Sequence, residues 1–196
     1  MRSGPTPHML AALRAAFPAS LGTAVVGVVS RLPHAPSELS ETTIAPRPVL
    51  LQGEPLSIPY RVYVPAHHPP RSGASGRLTV ESKVRACIYS RHHDGYVRQA
   101  QVATLLGDSD PWLVPFVVQL LGEYVVEVAE AIEAHRDRLT EPPYQAFVRE
   151  NPAFAELTRQ RTRSYWNCYY RRRFPRLESY PPFRLVRELL DRGGAA

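Results

Sequence analysis

Lysine is almost missing from this chain. Lys83 is the only one among 24 basic residues, so the net charge of +6 is carried by arginine. Arginine suits bidentate recognition of phosphate or carboxylate. A G- and C-rich coding sequence, however, raises Arg, Ala and Pro together, and Ala and the 20 prolines are abundant. The raw arginine count is therefore discounted, and only clustering carries weight. Cysteine is equally scarce. Cys87 and Cys168 stand far apart with no CxxC pair, which argues against a cysteine-based zinc site. Both are expected inside helices as small buried apolar residues, in a reducing, cytoplasmic compartment. Acids are missing from residues 1–37 and again between Leu157 and Leu177. Long apolar runs are missing too. The uncharged stretch Pro111–Gly122 falls short of the ~20 residues a membrane-spanning helix needs, and reads as a buried core helix. No Gly-rich phosphate loop, HExxH or GxSxG motif occurs, so an enzyme is not favoured, and no cofactor or metal is expected.

What remains is a globular composition. The 196 residues, 44% hydrophobic and 21% charged, suffice for one domain with a real core. The N-terminus, with Arg2, Arg14 and Arg31 between apolar patches, has the acid-poor character of an organellar transit peptide. A native helix over about 8–17, then a short buried element, is the preferred reading. Residues 32–47 form an irregular connection. Val49–Gln52, a Gly53-Glu54-Pro55 turn and Leu56–Val64 predict a β-hairpin. Ile58, Tyr60, Val62 and Val64 share one of its faces, and Pro59 makes the second arm an edge strand. Residues 65–77 read as a loop.

The helical section begins near Leu78. A helix of about 79–91, capped by Thr79, is broken at His92-His93-Asp94-Gly95, with Gly95 free to take a positive φ. A helix of about 96–107 and a Gly107–Pro111 turn follow, with Asp110 as a cap. The next helix, about 111–138, has a kink or second turn at Gly122-Glu123. Glu123, Glu127 and Glu130 form an acidic ridge along it. A short helix over 144–150 leads to Asn151-Pro152, a cap and first-position proline opening a helix of about 152–174. A short amphipathic helix over about 182–192 precedes the Gly-Gly-Ala-Ala tail. The fold class is mostly α: a helical bundle with a small N-terminal β-hairpin. Residues 1–77 and 78–196 are expected to form one compact domain together.

Asp94-Gly95-Tyr96-Val97-Arg98, followed by Ala100, Leu105-Leu106 and Asp110-Pro111, resembles the Asp-x-x-Val-Arg pattern of HEAT-type helical repeats. VPFVVQLL is similar to the first helix of another such repeat. The resemblance covers about 79–138. It implies paired helices in which the aspartate caps the second helix and the arginine reaches neighbouring repeats. The segment Glu123–Val128 departs from it, lacking a second Val-Arg pair, and a solenoid needs three or more repeats.

Two clusters are candidates for function. Arg91-His92-His93-Asp94 concentrates groups able to do acid–base work or bind metal. His67-His68 and His135 are possible additional ligands. An exposed turn with a capping aspartate is the plainer alternative, making His92, His93, Asp94, Tyr96 and Arg98 a protein-contact turn. The second cluster is Arg159, Arg161, Arg163, Arg171, Arg172, Arg173 and Arg176, interleaved with Tyr165, Trp166, Tyr169 and Tyr170. Basic side chains with aromatics hold phosphates and stack bases. Two structural alternatives stand beside this: the aromatics are a core stripe, or the arginines pair with the Glu123–Glu130 ridge. The leading expectation is a non-catalytic protein-interaction or scaffolding module with a protein partner. Nucleic-acid binding through Arg159, Arg163, Tyr170, Arg171, Arg172 and Arg173 comes second, and a small enzyme using the Arg91–Asp94 turn third.

Overall fold

The computed structural model describes residues 6–33, 46–65 and 78–193. Expectations placed on Arg2, on residues 34–45, on the His67-His68 loop and on the final Gly-Ala-Ala lie outside the described residues. The fold is mostly α with one small antiparallel two-strand sheet, as the sequence predicts.

Helix α1 (Pro7–Arg14) starts at Thr6, whose hydroxyl accepts the Met9 N–H at 3.2 Å. Helix α2 (Gly22–Val29) buries Val25, Val28 and Val29. Strands β1 (Pro46–Leu51) and β2 (Glu54–Pro59) pair from Pro46↔Pro59 to Leu51↔Glu54. Val49, Leu51, Leu56 and Ile58 turn inward. The turn falls at Gln52 and Gly53, with φ of 54° and 82°. Two left-handed residues match the natural twist of a hairpin. The turn therefore lies ahead of the Glu54-Pro55 part of the expected one.

Both free edges of the hairpin are tied down. The Asn151 side chain accepts the Leu50 N–H (2.7 Å) and donates to the Leu50 carbonyl (2.8 Å). The Glu150 carboxylate takes the N–H groups of Gln52 and Gly53 at 2.9 and 2.6 Å. On the other edge, Ser57 N–H donates to Ala15 O at 2.7 Å. Asn151 holds the N-cap position that Asn-Pro predicts, but its side-chain amide is committed to the strand and makes no cap bond.

Helix α3 (Val80–Tyr89) is capped by Thr79, as expected. Asp94 accepts the Tyr96 N–H at 2.8 Å and caps α4 (Gly95–Ala100); Gln101 separates α4 from α5 (Val102–Leu106). Gly95 does not have a positive φ. It opens α4, where a Cβ would stand 2.9 Å from Val125 Cγ2, so close packing is what glycine allows here. The expected 111–138 helix is divided. Helix α6 (Val114–Leu121), buried at every residue, ends at Gly122, and α7 (Val126–Glu133) starts after a non-helical break.

Helix α8 (Pro142–Glu150) leads into α9 (Pro152–Tyr165), which widens into a π-helical turn over Trp166–Tyr170; α10 (Pro181–Gly193) closes the chain. The main core joins Leu13, Ile58, Leu105, Phe116, Phe147 and Leu185, drawn from both ends of the chain. A smaller cluster of Val126, Tyr180 and Phe183 sits under Trp166 and Tyr170. Cys87 is buried as expected, whereas Cys168 is exposed. The π turn spaces its bonds i→i+5 and passes the aromatic stripe to Trp166 and Tyr170, leaving Cys168 outside. Among the described residues no helix is long and apolar enough to cross a membrane.

Candidate functional site

The break after α6 sets the site. Gly122 permits close approach of α9: a Cβ there would lie 3.3 Å from Thr158 Cγ2. Its carbonyl accepts Arg161 Nε at 3.0 Å. The next residue, Glu123, turns into the protein and is 1% exposed. Three arginines from three segments close on it. Arg61, just beyond β2, grips both carboxylate oxygens, with Nη1 to Oε1 at 2.8 Å and Nη2 to Oε2. Arg91, at the end of α3, donates from Nη2 to Oε1 at 2.5 Å. Arg98 of α4 holds Nη2 at 3.8 Å from Oε2. All three guanidiniums are buried.

The backbone supplies further acceptors, while Arg91 Nη1 and Arg98 Nε and Nη2 are left without a hydrogen bond. Arg91 bonds Pro59 O and Tyr60 O, Arg61 bonds Tyr60 O, and Arg98 bonds His92 O and His93 O. Extended residues 60–64 carry this network to the turn after α3, where Val62 bridges His92 in parallel. Burial alone would raise the Glu123 carboxyl. Arg91, Arg61 and Arg98 outweigh it and hold the group down at about 2. Burial draws Arg91 down to about 10, against the pull of Glu123, so it stays charged at neutral pH. One carboxylate thus faces three guanidiniums, which leaves the buried cluster cationic.

A second layer of positive charge surrounds Tyr60. Arg61, Arg161 and Arg47 place their guanidinium carbons 4.4, 4.8 and 5.3 Å from its ring centre. Arg161 Nη2 donates to the hydroxyls of Tyr60 (2.7 Å) and Tyr165 (3.0 Å). Burial raises the Tyr60 hydroxyl, but Arg161 and Arg61 outweigh it and the net shift is downward. For Tyr165 burial dominates and the shift is upward. Between Arg47 and Arg161 lies a small open notch, lined also by Gln119, Phe154 and Thr158.

The predicted contact turn divides in two. His92 and Arg98 are buried, so they do not belong to its exposed surface. His92 Nδ1 accepts the Asp94 N–H at 3.0 Å, so Nε2 carries the proton and donates to Val64 O at 2.7 Å. With both ring nitrogens bonded internally, His92 offers neither a base nor a metal ligand to an outside molecule. Burial lowers its pKa. Arg91 is fully buried. His93 is exposed and stacks on Tyr63 at 5.3 Å, beside exposed Asp94, while Tyr96 is 84% exposed.

The arginine cluster also divides. Glu123 does not meet it, because the break after α6 removes that residue from the ridge. Glu127 and Glu130 meet only Arg173, whose Nη2 lies 2.8 Å from Glu130. Arg159 pairs with Glu156 within α9. Tyr170 is engaged inside, donating to Tyr124 O at 2.6 Å and stacking on Tyr180. Those three are therefore not free groups for an anion. Arg163, Arg171, Arg172 and Arg176 are exposed and form no salt bridge among the described residues, although Glu156 acts on Arg163 at longer range. Arg163 lies over Phe183, and Arg171 lies over Trp166.

Comparison with family models, curated proteins and solved structures finds no match to this chain. The residues that sequence reasoning missed are Arg47, Tyr60 and Arg61; Glu123 was expected to meet arginines, but those of the 152–174 helix and not Arg61, Arg91 and Arg98. One local signal was present. An acid directly after a glycine that ends an uncharged, mostly apolar stretch needs a partner if it turns inward. Nothing local says that the partners come from positions 61, 91 and 98.

Proposed function

We propose that this protein binds a polyanion, and specifically nucleic acid, through the solvent face of α9 and its π turn. The observation that carries this reading is the absence, among the described residues, of salt bridges at exposed Arg163, Arg171 and Arg172, beside a 69% exposed Tyr169. Glu123, which could have neutralised that face, is bound elsewhere. The net charge of +6 acts in the same direction. Phosphate contacts release counterions, so affinity should fall steeply with salt.

Retention of the full chain on heparin and DNA columns as a function of salt tests the reading. Steep salt dependence is expected, with loss of retention in Arg163→Glu combined with Arg171→Glu. Retention that ignores salt, or survives both reversals, removes the proposal. A second reading is a protein-interaction module, favoured by Tyr96 at 84% exposure on a turn that is capped and pinned from behind. The HEAT-like pattern over 79–138 also favours it. On that reading, Tyr96→Ala weakens capture of a specific protein, while the arginine reversals leave it intact.

A further inference from the structure

Four tyrosines and two arginines join the α9 face to the hairpin. Tyr169 stands 6.3 Å from Tyr165, and Tyr124 stands 6.2 Å from Tyr165 on another side, edge to face. Arg161 lies 5.6 Å from the Tyr165 ring and 4.8 Å from the Tyr60 ring, so it bridges the two. Arg47 covers Tyr60 in turn at 5.3 Å. The resulting track alternates aromatic surface with guanidinium, running from the π turn to β1.

Its charge is unbalanced. Arg47 has no ion pair or hydrogen bond among the described residues, only the Tyr60 ring. Arg161 spends Nε and Nη2 on Gly122, Tyr60 and Tyr165, leaving Nη1 without a hydrogen bond among the described residues. The nearest carboxylate, Glu123, is already held by Arg61 and Arg91. The notch between Arg47 and Arg161 thus presents donors with no anion to receive them. Gln119 lines the same notch; it is 7% exposed and its Oε1 has no hydrogen-bond partner.

Building on the nucleic-acid reading, we infer that the ligand is a single strand. Its bases lie on Tyr169 and Tyr165, and a phosphate sits between Arg161 and Arg47. A duplex keeps its base faces in its own stack and cannot offer them to tyrosine, whereas a single strand can.

Fluorescence anisotropy of a labelled oligothymidine strand, and of the same strand annealed to its complement, tests this on the full chain at physiological salt. The single strand is expected to bind at least about tenfold more tightly than the duplex. Tyr169→Ala should lose roughly fivefold to a hundredfold in single-strand affinity, the range for one stacked base. Arg47→Ala should lower the salt slope by about 0.7, one phosphate on a single strand. Tyr169 and Arg47 lie at the surface, and circular dichroism confirms that each variant is folded. Equal or tighter duplex binding overturns the inference, as does indifference to both Tyr169→Ala and Arg47→Ala. If these fail while Arg163→Glu with Arg171→Glu still abolishes binding, nucleic-acid binding stands without the single-strand track. If no nucleic acid binds, both fall, and retention on heparin alone would mark a general polyanion surface.

Discussion

Replacing Glu123 by glutamine leaves Arg61, Arg91 and Arg98 buried around a neutral amide. Removing one partner from a buried ion network costs on the order of 3–5 kcal/mol, because the remaining charges stay desolvated. Urea unfolding of Glu123→Gln should show a loss of that order; a loss under 1 kcal/mol would mean that solvent already screens the cluster. The same carboxylate sets an acid limit. Its folded pKa of about 2 lies below the ordinary 4.5, so its stabilisation is fully present above pH 4.5 and is lost as the pH falls towards 2. His92 acts in a higher window. Its folded pKa is depressed below 6.5, so the unfolded chain takes up a proton first as the medium acidifies. Stability should therefore decline below pH 6.5. Thermal unfolding across pH 7.5 to 5 should show a shallower decline in His92→Gln than in the parent. Superimposable profiles would show that His92 protonation is not the cause.

At the scale of elements, what could be read from the sequence was whatever is decided locally. Thr79 and Asp94 cap their helices because a side-chain oxygen and an N–H two or three residues on are all that a cap requires. The hairpin followed from alternation, and of the face assigned to its second arm Ile58, Val62 and Val64 are buried, although β2 itself stops at Pro59. The misreadings share a cause in distant partners. Asn151 carries a helix-start signature, but the edge of β1 offers its amide two bonds at once, and the cap loses. The sequence marks a kink or second turn at Gly122-Glu123, but the structure shows a full break there, close to α9, that takes Glu123 out of the ridge. Asn151→Ala removes both bonds to Leu50 and should cost about 1–3 kcal/mol. Hydrogen exchange should then accelerate at Leu50 while the α6 amides remain protected. Uniform acceleration would instead mean that the hairpin and the helices open as one unit.

The whole molecule is closed by contacts between its early and late parts. Leu50 meets Asn151 and Tyr60 meets Arg161, each pair separated by 101 positions. The candidate site inherits that arrangement, since its track has Arg47 and Tyr60 at one end and Tyr165 and Tyr169 at the other. No local stretch of sequence contains it, which is why the charge of α9 was legible while its continuation onto the hairpin was not. The tied hairpin edges also bear on the birth of the chain. At roughly 5–20 residues per second of synthesis, the hairpin leaves the ribosome on the order of ten seconds before Asn151 does. During that interval the β1 edge has no native partner, and an exposed hairpin edge could pair with another nascent chain. Pro46, Pro48, Pro55 and Pro59 lie within the two strands, and each removes an N–H that such pairing would use. Residues that look ill suited to a strand are what make the unfinished protein a poor template for its neighbours.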